Sequence, residues 1–333
     1  MNWNDRQYLI AFNMVPGIGG IRLRALWRHF GSLKGAWEAA PHLLRRIAGI
    51  GPKTARAVEK ARHEVCPETE EAWARSLGAE IITIVEEGYP GRLKRLAVPP
   101  PVLYVLGTLP KEPAVAIVGT RRPSRSGIAQ ARLFSGAAVA AGRTVVSGLA
   151  RGIDYFAHRE AVQRGGKTVA VLGSNLADLY PAEHRGLVNK IVARGAVISE
   201  FSSRCSTLPG NFPRRNRIIA GLAQGVLVVQ AGAKSGTIST ADWALELGLD
   251  VWAIPGEISD PLREGCHNLI KQGAYLVTSP ADLWGEEPAA AGEGLSVAAM
   301  FAAGRGANEI AAALDLPIAE VLAQITRLEI GGS

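Results

Sequence analysis

Three arginines within four positions are the residues of this sequence whose chemistry is easiest to infer. They are Arg214, Arg215 and Arg217, with Asn216 between them. Phe212 stands just before them, and an apolar, helix-like run follows at residues 218–223. An aromatic ring beside cations suits single-stranded nucleic acid, whose bases stack and whose phosphates are neutralised. The alternative interpretation places Phe212 in the core, but the arginines themselves predict a phosphate-binding surface.

A loop of small residues follows at positions 232–240. It comes after an apolar run, residues 226–229, that predicts a buried strand, and it opens another helix. Small residues let backbone N–H groups approach an anion closely, and a helix N-terminus adds partial positive charge. This loop therefore also predicts phosphate binding. Its candidate contacts are Lys234, Ser235, Gly236 and Thr237.

Two earlier loops carry further arginines. Each follows a predicted strand, one at residues 114–118 and the other at residues 144–147. The fingerprint GxGxxG is absent, and no acidic residue ends the second strand, so a nicotinamide cofactor is disfavoured and no cofactor is expected. Guanidinium groups grip phosphate oxygens instead, with a solvated arginine turn as the alternative. The candidate contacts are Gly119, Arg121, Arg122, Arg125, Ser147, Gly148 and Arg151.

Asp154 and His158 are the pair that could suggest acid–base catalysis. They lie four residues apart, on one face of a predicted helix. No nucleophile or metal motif accompanies them, so a helix cap and a structural histidine are the favoured interpretation. HExxH, paired His/Cys and Walker A patterns are absent, which disfavours a catalytic metal and P-loop ATP hydrolysis. We therefore expect no catalytic residues and no metal.

Composition bounds the class of protein. A chain of 333 residues predicts two or three domains, and a formal charge of +7 is compatible with a polyanionic partner. The cysteines (Cys66, Cys205 and Cys266) are distant from one another and predict reduced thiols. The N-terminus lacks the apolar region of a secretory signal, and no apolar run approaches the ~20 residues of a membrane span. We expect a cytoplasmic protein with no membrane partner.

The elements that must position these loops alternate along residues 76–285. Strand-like apolar runs are separated by helix-like segments such as residues 128–141, 155–164 and 187–194. This alternation predicts an α/β fold with a Rossmann-like, mostly parallel sheet covered by helices. Such sheets bind ligands at the carboxyl ends of their strands, which is where the arginine-bearing loops occur.

Smaller regions flank the predicted sheet. Residues 1–75 predict a helical domain that contains two similar phrases, VPGIGGIRLRAL and IAGIGPKTARAV. Both phrases resemble helix-hairpin-helix units. They predict either a phosphate contact or a tight turn that only packs. Residues 286–295 have the composition of a linker. Residues 296–333 predict two helices, 308–314 and 318–328, that suggest part of a helix-turn-helix, with ordinary helix packing as the alternative.

Several phrases resemble, in order, the DprA/Smf family of bacterial DNA-processing proteins. They are AIVGTRRPSRSG (116–127), VVSGLARGID (145–154), TVAVLGSNL with YP (168–181), ISE (198–200), FPRRNRIIAGL (212–222) and SGTISTA (235–241). Residues 88–107 and 263–277 are similar to the family as well. The resemblance covers nearly the whole chain.

The resemblance implies a Rossmann-like core that binds single-stranded DNA, forms a homodimer and is not an enzyme. It further implies that the protein loads RecA onto incoming strands in natural transformation. Because single-strand-binding protein blocks that loading, it is a further expected partner. By position, Arg121, Phe212 and Lys234 match family DNA contacts. The implied self-association residues are His267, Asn268, Leu269, Ile270 and Leu276. The first domain resembles the family's variable helix-hairpin-helix (SAM-like) domain, and residues 296–333 resemble a partial winged-helix domain without the wing.

An alternative function is a nucleotide-processing enzyme. The loop at residues 232–237 is similar to the phosphate loop of lysine-decarboxylase-like phosphoribohydrolases, whose motif continues to a catalytic glutamate. Here Thr240 or a neighbour occupies that place, so the carboxylate for acid–base chemistry is missing. This difference favours the DNA-binding hypothesis.

Overall fold

The computed structural model describes residues 3–284, 297–302 and 305–330. The chain divides into two compact units, Met1–Gly285 and Glu286–Ser333. The predicted linker, residues 286–295, lies outside the described residues. In the described parts of the chain, no helix is both long and apolar enough to cross a membrane.

The first unit begins with six helices. They are α1 (Asp5–Asn13), α2 (Gly20–Phe30), α3 (Leu33–Glu38), α4 (Pro41–Leu44), α5 (Pro52–Glu64) and α6 (Pro67–Ser76). The Asn4 side chain caps α1 and the Gln7 side chain returns the bond, so a capping box fixes where α1 starts. The core of this bundle includes Tyr8, Phe12 and Trp37.

Within residues 3–284, nine strands form one sheet, as the alternating apolar runs predict. They are β1 (Ala79–Thr83), β2 (Val102–Gly107), β3 (Ala114–Val118), β4 (Thr144–Ser147), β5 (Thr168–Val171), β6 (Ala196–Ser199), β7 (Gly225–Val228), β8 (Asp250–Ala253) and β9 (Tyr275–Leu276). Their spatial order is β1-β2-β6-β5-β4-β3-β7-β8-β9. The first two pairings are antiparallel and the others are parallel. The α/β fold with a mostly parallel sheet is therefore confirmed.

The remaining helices of the first unit cover the sheet. They are α7 (Arg125–Ala140), α8 (Ile153–Gln163), α9 (Arg185–Val192), α10 (Asn211–Leu222), α11 (Ile238–Glu246), α12 (Glu264–Lys271) and α13 (Ala281–Trp284). Alternate residues of β3 enter two cores. Ala116 and Val118 pack in one with α10 and α11, while Val115 and Ile117 pack in the other with α7 and α8. Continuous apolar strands are needed because both faces are buried.

The helical bundle and the sheet share apolar contacts. Val102 and Tyr104 of β2 belong to the same buried cluster as α1. The Tyr104 hydroxyl also donates to the buried Glu70 carboxylate of α6, at 2.8 Å. The predicted domain boundary at residue 75 stays a prediction, within a stretch that forms one compact unit.

Strand order reverses at β3. β3 pairs with β4 on one side and with β7 on the other, so the chain leaves β3 and β7 toward opposite halves of the sheet. A crevice forms at such a switch point, outside the carboxyl ends of the strands. The arginine-bearing loops lie at this edge.

The second unit contains three described helices. They are α14 (Val297–Ala302), α15 (Ala307–Leu314) and α16 (Ile318–Ile330). Val297, Met300, Ile310 and Val321 form their common core. The two helices expected from sequence are present, and α14 is an addition. The assignment of residues 296–333 to a partial winged-helix domain stays a prediction.

Candidate nucleic-acid interface

Three loops are joined through their backbones at the carboxyl edge of the sheet. We call them the β3 loop (residues 119–124), the β4 loop (148–152) and the β7 loop (229–237). The Thr120 N–H donates to the Gln230 carbonyl at 2.7 Å, and the Ile153 N–H donates to the Thr120 carbonyl at 3.1 Å. These bonds fix the β3 loop between its two neighbours.

Two glycines allow this close approach. Gly152 has φ +77, and a Cβ there would lie 2.3 Å from the Thr120 carbonyl oxygen. A Cβ at Gly119 would lie 2.6 Å from Cγ1 of Ile153. Any side chain at either position would push the β3 and β4 loops apart.

A cavity of about 510 Å³ opens among these loops and the start of α10. We call it the strand-end cavity. Its lining includes Gly119, Thr120, Arg121, Arg122, Ala150, Asp154, Phe212, Arg215, Asn216, Ser235, Gly236, Thr237 and Thr240. Residues from the three predicted loops and from α10 therefore meet in one place, although they are separated along the chain.

An aromatic and cationic group stands at the edge of the strand-end cavity. The Arg121 guanidinium carbon lies 5.6 Å from the centroid of the Phe212 ring, and the Tyr180 ring centroid lies 5.5 Å from that of Phe212. Phe212 fits here because Gly173 lacks a side chain; a Cβ on Gly173 would approach Phe212 to 2.6 Å. Arg121 is exposed and Phe212 is half-buried, so the ring is neither lost in the core nor fully in solvent.

The three arginines of α10 have different environments. Arg214 is 44% exposed in its side chain and pairs with Glu200 at 2.9 Å. Arg217 is 4% exposed and holds both Glu200 carboxylate oxygens, at 2.8 and 2.7 Å. Arg215 is 3% exposed and donates to the carbonyls of Gly148 and Val171. Arg215 and Arg217 therefore have partners inside the protein, and only Arg214 of the three reaches solvent.

Burial also changes the ionisation of Arg215. Burial lowers the pKa of Arg215 to about 10, although the carboxylate of Asp154 acts in the opposite direction. The guanidinium is still charged at neutral pH. It contributes positive charge beneath the strand-end cavity while its N–H groups hold the β4 loop.

Asn216 connects α10 to the β7 loop. Its side-chain amide donates to the Gly236 carbonyl at 3.1 Å and to the Ser239 hydroxyl at 2.8 Å. Ser235, Gly236 and Thr237 line the strand-end cavity. Lys234 is exposed on the same loop but does not line the cavity.

The remaining predicted contacts divide into buried and exposed groups. Ser147 is buried and donates to the Ile117 carbonyl at 2.7 Å; Gly148 is buried beside it. Arg122 and Arg125 are exposed, the former lining the cavity and the latter starting α7. Arg151 is exposed and pairs with Glu183 at 2.6 Å.

Within residues 3–284, no hydrogen bond joins Asp154 and His158. Asp154 is the second residue of α8 and accepts from the N–H groups of Gly148 at 3.2 Å and Ala150 at 3.4 Å. Burial raises the pKa of Asp154. His158 contacts the Thr168 hydroxyl, Nδ1 to Oγ1, at 2.7 Å. The helix-cap interpretation of Asp154 is wrong, because Gly152 is the N-cap of α8 and the Asp154 carboxylate holds the β4 loop instead. His158 supports the sheet.

We expect His158 to make folding sensitive to acid. Burial, with the nearby charges of His184 and Arg215, lowers the pKa of His158 from 6.5 to about 3. Between these values the unfolded chain binds a proton that the folded chain does not, so stability is full above pH 6.5 and falls as pH falls. The slope approaches about 1.4 kcal/mol per pH unit. His158→Asn should remove this part of the slope in urea unfolding at pH 7, 5.5 and 4.5; equal slopes for both proteins would contradict the prediction.

The expected self-association residues lie on α12 and β9. Leu269 is buried in the core, His267 contacts the Gly256 backbone at 3.1 Å, and Ile270 is half-buried. Asn268 is exposed, and Leu276 is 53% exposed. Leu276 lies on β9, the last strand of the sheet. The self-association role of these residues stays a prediction.

Two residues of the candidate site were not singled out from the sequence. Tyr180 contacts Phe212 and is 45% exposed; its only sequence signal is the Tyr-Pro pair after β5. Gln230 is fully buried, and its side-chain oxygen accepts from the Ser124 N–H at 3.0 Å. A polar residue at the end of an apolar strand is the signal that could have identified Gln230.

Comparison with known proteins shows which family this chain resembles. A family model described as DNA recombination-mediator protein A matches residues 80–287. Protein Smf of a Synechocystis species is 38% identical over 286 residues, which is 84% of this chain and 72% of that protein.

Two solved structures are similar to this fold. The crystal structure of DNA processing protein A from Streptococcus pneumoniae matches with a TM-score of 0.72 and 32% identity, over 86% of this chain and 99% of that one. A structure of DNA processing protein A from Helicobacter pylori matches with a TM-score of 0.56 and 26% identity, over 61% of this chain and 93% of that one, and its description concerns single-stranded DNA binding. On the family match and the Synechocystis relative, this chain belongs to the DprA/Smf family of DNA-processing, recombination-mediator proteins.

Proposed function

We propose that this protein binds single-stranded DNA at the strand-end cavity and acts as a recombination mediator that loads RecA onto the bound strand. The observation that carries the proposal is the exposed Arg121 guanidinium on the Phe212 ring, with Tyr180 beside it, at the edge of a cavity built from loops. The single-stranded DNA binding described for the H. pylori relative supports it.

The side chains of Arg121 and Phe212 can recognise both the phosphate and the base of a nucleotide. A base can stack on Phe212, because single strands expose their faces, and each stacked base is worth roughly 1–3 kcal/mol. Arg121 and Arg122 can neutralise the neighbouring phosphates. A duplex keeps its bases stacked on one another, so it would forgo the ring contact.

The predicted site residues divide by accessibility into three roles in this proposal: DNA contact, nearby positive charge and loop positioning. The exposed or cavity-lining residues Arg121, Arg122, Phe212, Lys234, Ser235, Gly236 and Thr237 contact DNA, and Arg125, Arg151 and Arg214 add positive charge nearby. The buried residues Gly119, Ser147, Gly148, Arg215, Asn216 and Arg217 position the loops. The positioning role is assigned from burial, because each of these residues is at most 9% exposed or has its polar atoms bonded within the protein.

The partners beyond DNA are proposed on the basis of family membership. We propose a homodimer that includes the exposed end of the sheet, where Tyr275 and Leu276 of β9 are 60% and 53% exposed. A dimer would hold one strand at two places, which raises its avidity. RecA, and single-strand-binding protein as the competitor on the strand, complete the proposed pathway in the cytoplasm.

Replacing Arg121 with alanine tests the site. We expect Arg121→Ala to weaken binding to a labelled oligo-dT and to single strands of other sequence. The slope of log affinity against log salt should fall in magnitude by about one, because one phosphate contact is lost. Fluorescence anisotropy at several salt concentrations measures both. Lys111→Ala is the matched control, since Lys111 is exposed near the amino end of β3. Full affinity in the Arg121 variant would contradict the site assignment.

The alternative is hydrolysis of a nucleoside monophosphate at the same cavity. Thr240, in the place of the expected glutamate, is buried and lines the cavity. The Asp154 carboxylate in the lining is occupied by two backbone N–H groups. We therefore favour binding over catalysis. Release of free base from a nucleoside monophosphate by the purified protein would reverse that preference.

A further inference from the structure

A second cavity, of about 580 Å³, lies between the N-terminal glycine turns and α10. We call it the hairpin cavity. Its lining includes Gly19, Arg22, Gly49, Val98, Arg214 and Trp243. The two glycine-containing phrases noted in the sequence therefore face a common space, together with a residue from the arginine cluster of α10.

The guanidinium groups of Arg22 and Arg214 line this space. Arg22 reaches across both turns: it donates to the Gly17 carbonyl, and a Cβ on Gly49 would lie 3.8 Å from its Nε. Within residues 3–284, no carboxylate pairs with Arg22. Arg214 approaches the first of these turns, since a Cβ on Gly19 would lie 3.6 Å from its Nη2.

The pairing of Arg214 leaves positive charge at the cavity wall. Its partner Glu200 also pairs with Arg217, and Arg217 lines the hairpin cavity too. One carboxylate thus serves two guanidinium groups. Together with Arg22, the cavity carries an excess of positive charge that an anionic ligand would balance.

Charge along the chain is concentrated in the same region. Residues 17–64 contain ten Lys or Arg and three Asp or Glu, a formal charge of +7. The whole chain, with 37 basic and 30 acidic residues, is also +7. The rest of the chain therefore has 27 of each and is balanced. The basic character of this protein belongs to its hairpin region, which points to a polyanion there.

Helix α10 forms a wall of both cavities. Phe212, Arg215 and Asn216 line the strand-end cavity, whereas Arg214 and Arg217 line the hairpin cavity. A chain that leaves the first cavity across the start of α10 arrives at the second. The two spaces are therefore arranged for one extended ligand.

We propose that the hairpin cavity binds a second segment of the same DNA single strand, so that each protomer holds two stretches on either side of α10. This proposal rests on the proposed function. Phosphates would contact Arg22 and Arg214, and unstacked bases would contact Trp243 and Ile21, which is 64% exposed. The apolar lining favours a single strand over a duplex, because only a single strand offers base faces to such side chains.

A length series of oligonucleotides tests this proposal. We expect the affinity of the unaltered protein to rise from dT6 to dT12 and dT24, as the second segment engages. Arg22→Gln should leave dT6 binding unchanged and weaken dT24 binding about 3- to 10-fold, with a salt slope lower by about one. Arg28→Gln is the matched control, because Arg28 is exposed on the same helix and does not line the cavity.

A second variant guards against a folding effect of Arg22. Ile21→Glu changes an exposed side chain at the cavity and should also weaken dT24 but not dT6. Both variants matching Arg28→Gln at every length would overturn the hairpin proposal while leaving the proposed function intact. If the two variants weakened binding to a duplex of equal length but not to dT24, the cavity would bind duplex DNA, and the hairpin proposal would also be overturned. Arg121→Ala should weaken binding at every length; if the unaltered protein bound no oligonucleotide, both proposals would fall.

Discussion

Replacement of Glu200 by glutamine is expected to lower the free energy of unfolding by about 3–5 kcal/mol, because it removes the charge partner of a buried cation. Arg217 is 4% exposed, and both of its hydrogen bonds to a carboxylate end on Glu200, itself 2% exposed. Glutamine has the same size but offers one acceptor oxygen and no charge. Urea unfolding followed by circular dichroism measures the loss.

Glu183→Gln is the matched control for that substitution. Glu183 also pairs with an arginine, Arg151, at 2.6 Å, but their side chains are 52% and 57% exposed. Solvent screens such a pair, so we expect no measurable change in stability. Equal losses in the two variants would show that burial does not set the strength of the Glu200 pair.

Substitution of Phe212 by alanine is expected to raise the dissociation constant for single-stranded DNA by about 5- to 150-fold, which corresponds to about 1–3 kcal/mol for one stacked base. The ring is also the surface on which Arg121 rests, at 5.6 Å, so its removal frees the guanidinium to adopt other positions. The dependence on salt should change little, because no charge is removed.

Two further substitutions separate stacking from apolar packing at position 212. Phe212→Leu keeps an apolar side chain against Gly173 but has no aromatic face, whereas Phe212→Tyr keeps the face. We expect the leucine variant to bind as weakly as alanine and the tyrosine variant to bind as the unaltered protein does. Binding by the leucine variant at full strength would exclude stacking at this position.

The sheet and its loops could be predicted because the signals are local. Each strand is a short apolar run, and each functional loop follows one at once, so the sequence order alone places these loops at one edge of a parallel sheet. The three helices of the second unit were harder to predict. Two show a clear helical period, while α14, of six residues, is too short for one.

The burial of Arg215 and Arg217 could not be predicted from their neighbours. Arg214, Arg215 and Arg217 read as one cationic cluster, and exposure is the default for arginine. Arg215 is buried on the carbonyls of Gly148 and Val171, and Arg217 is buried on both carboxylate oxygens of Glu200, which follows β6. Arg214 shares Glu200 with Arg217 but stays 44% exposed. These partners are 14 to 67 residues away in the chain, so only the tertiary structure distinguishes a DNA contact from a structural ion pair.

The backbone bonds among the β3, β4 and β7 loops have a consequence for how fast a strand is captured. Because Thr120 is held by Gln230 on one side and by Ile153 on the other, the cavity is already assembled before DNA arrives. We therefore expect little loop entropy to be lost on binding and no slow rearrangement of these loops before association. The association rate should therefore be set by diffusion and electrostatic attraction. Added salt and higher viscosity should both slow association, and the observed rate should rise linearly with protein concentration, without the plateau of a first-order isomerisation.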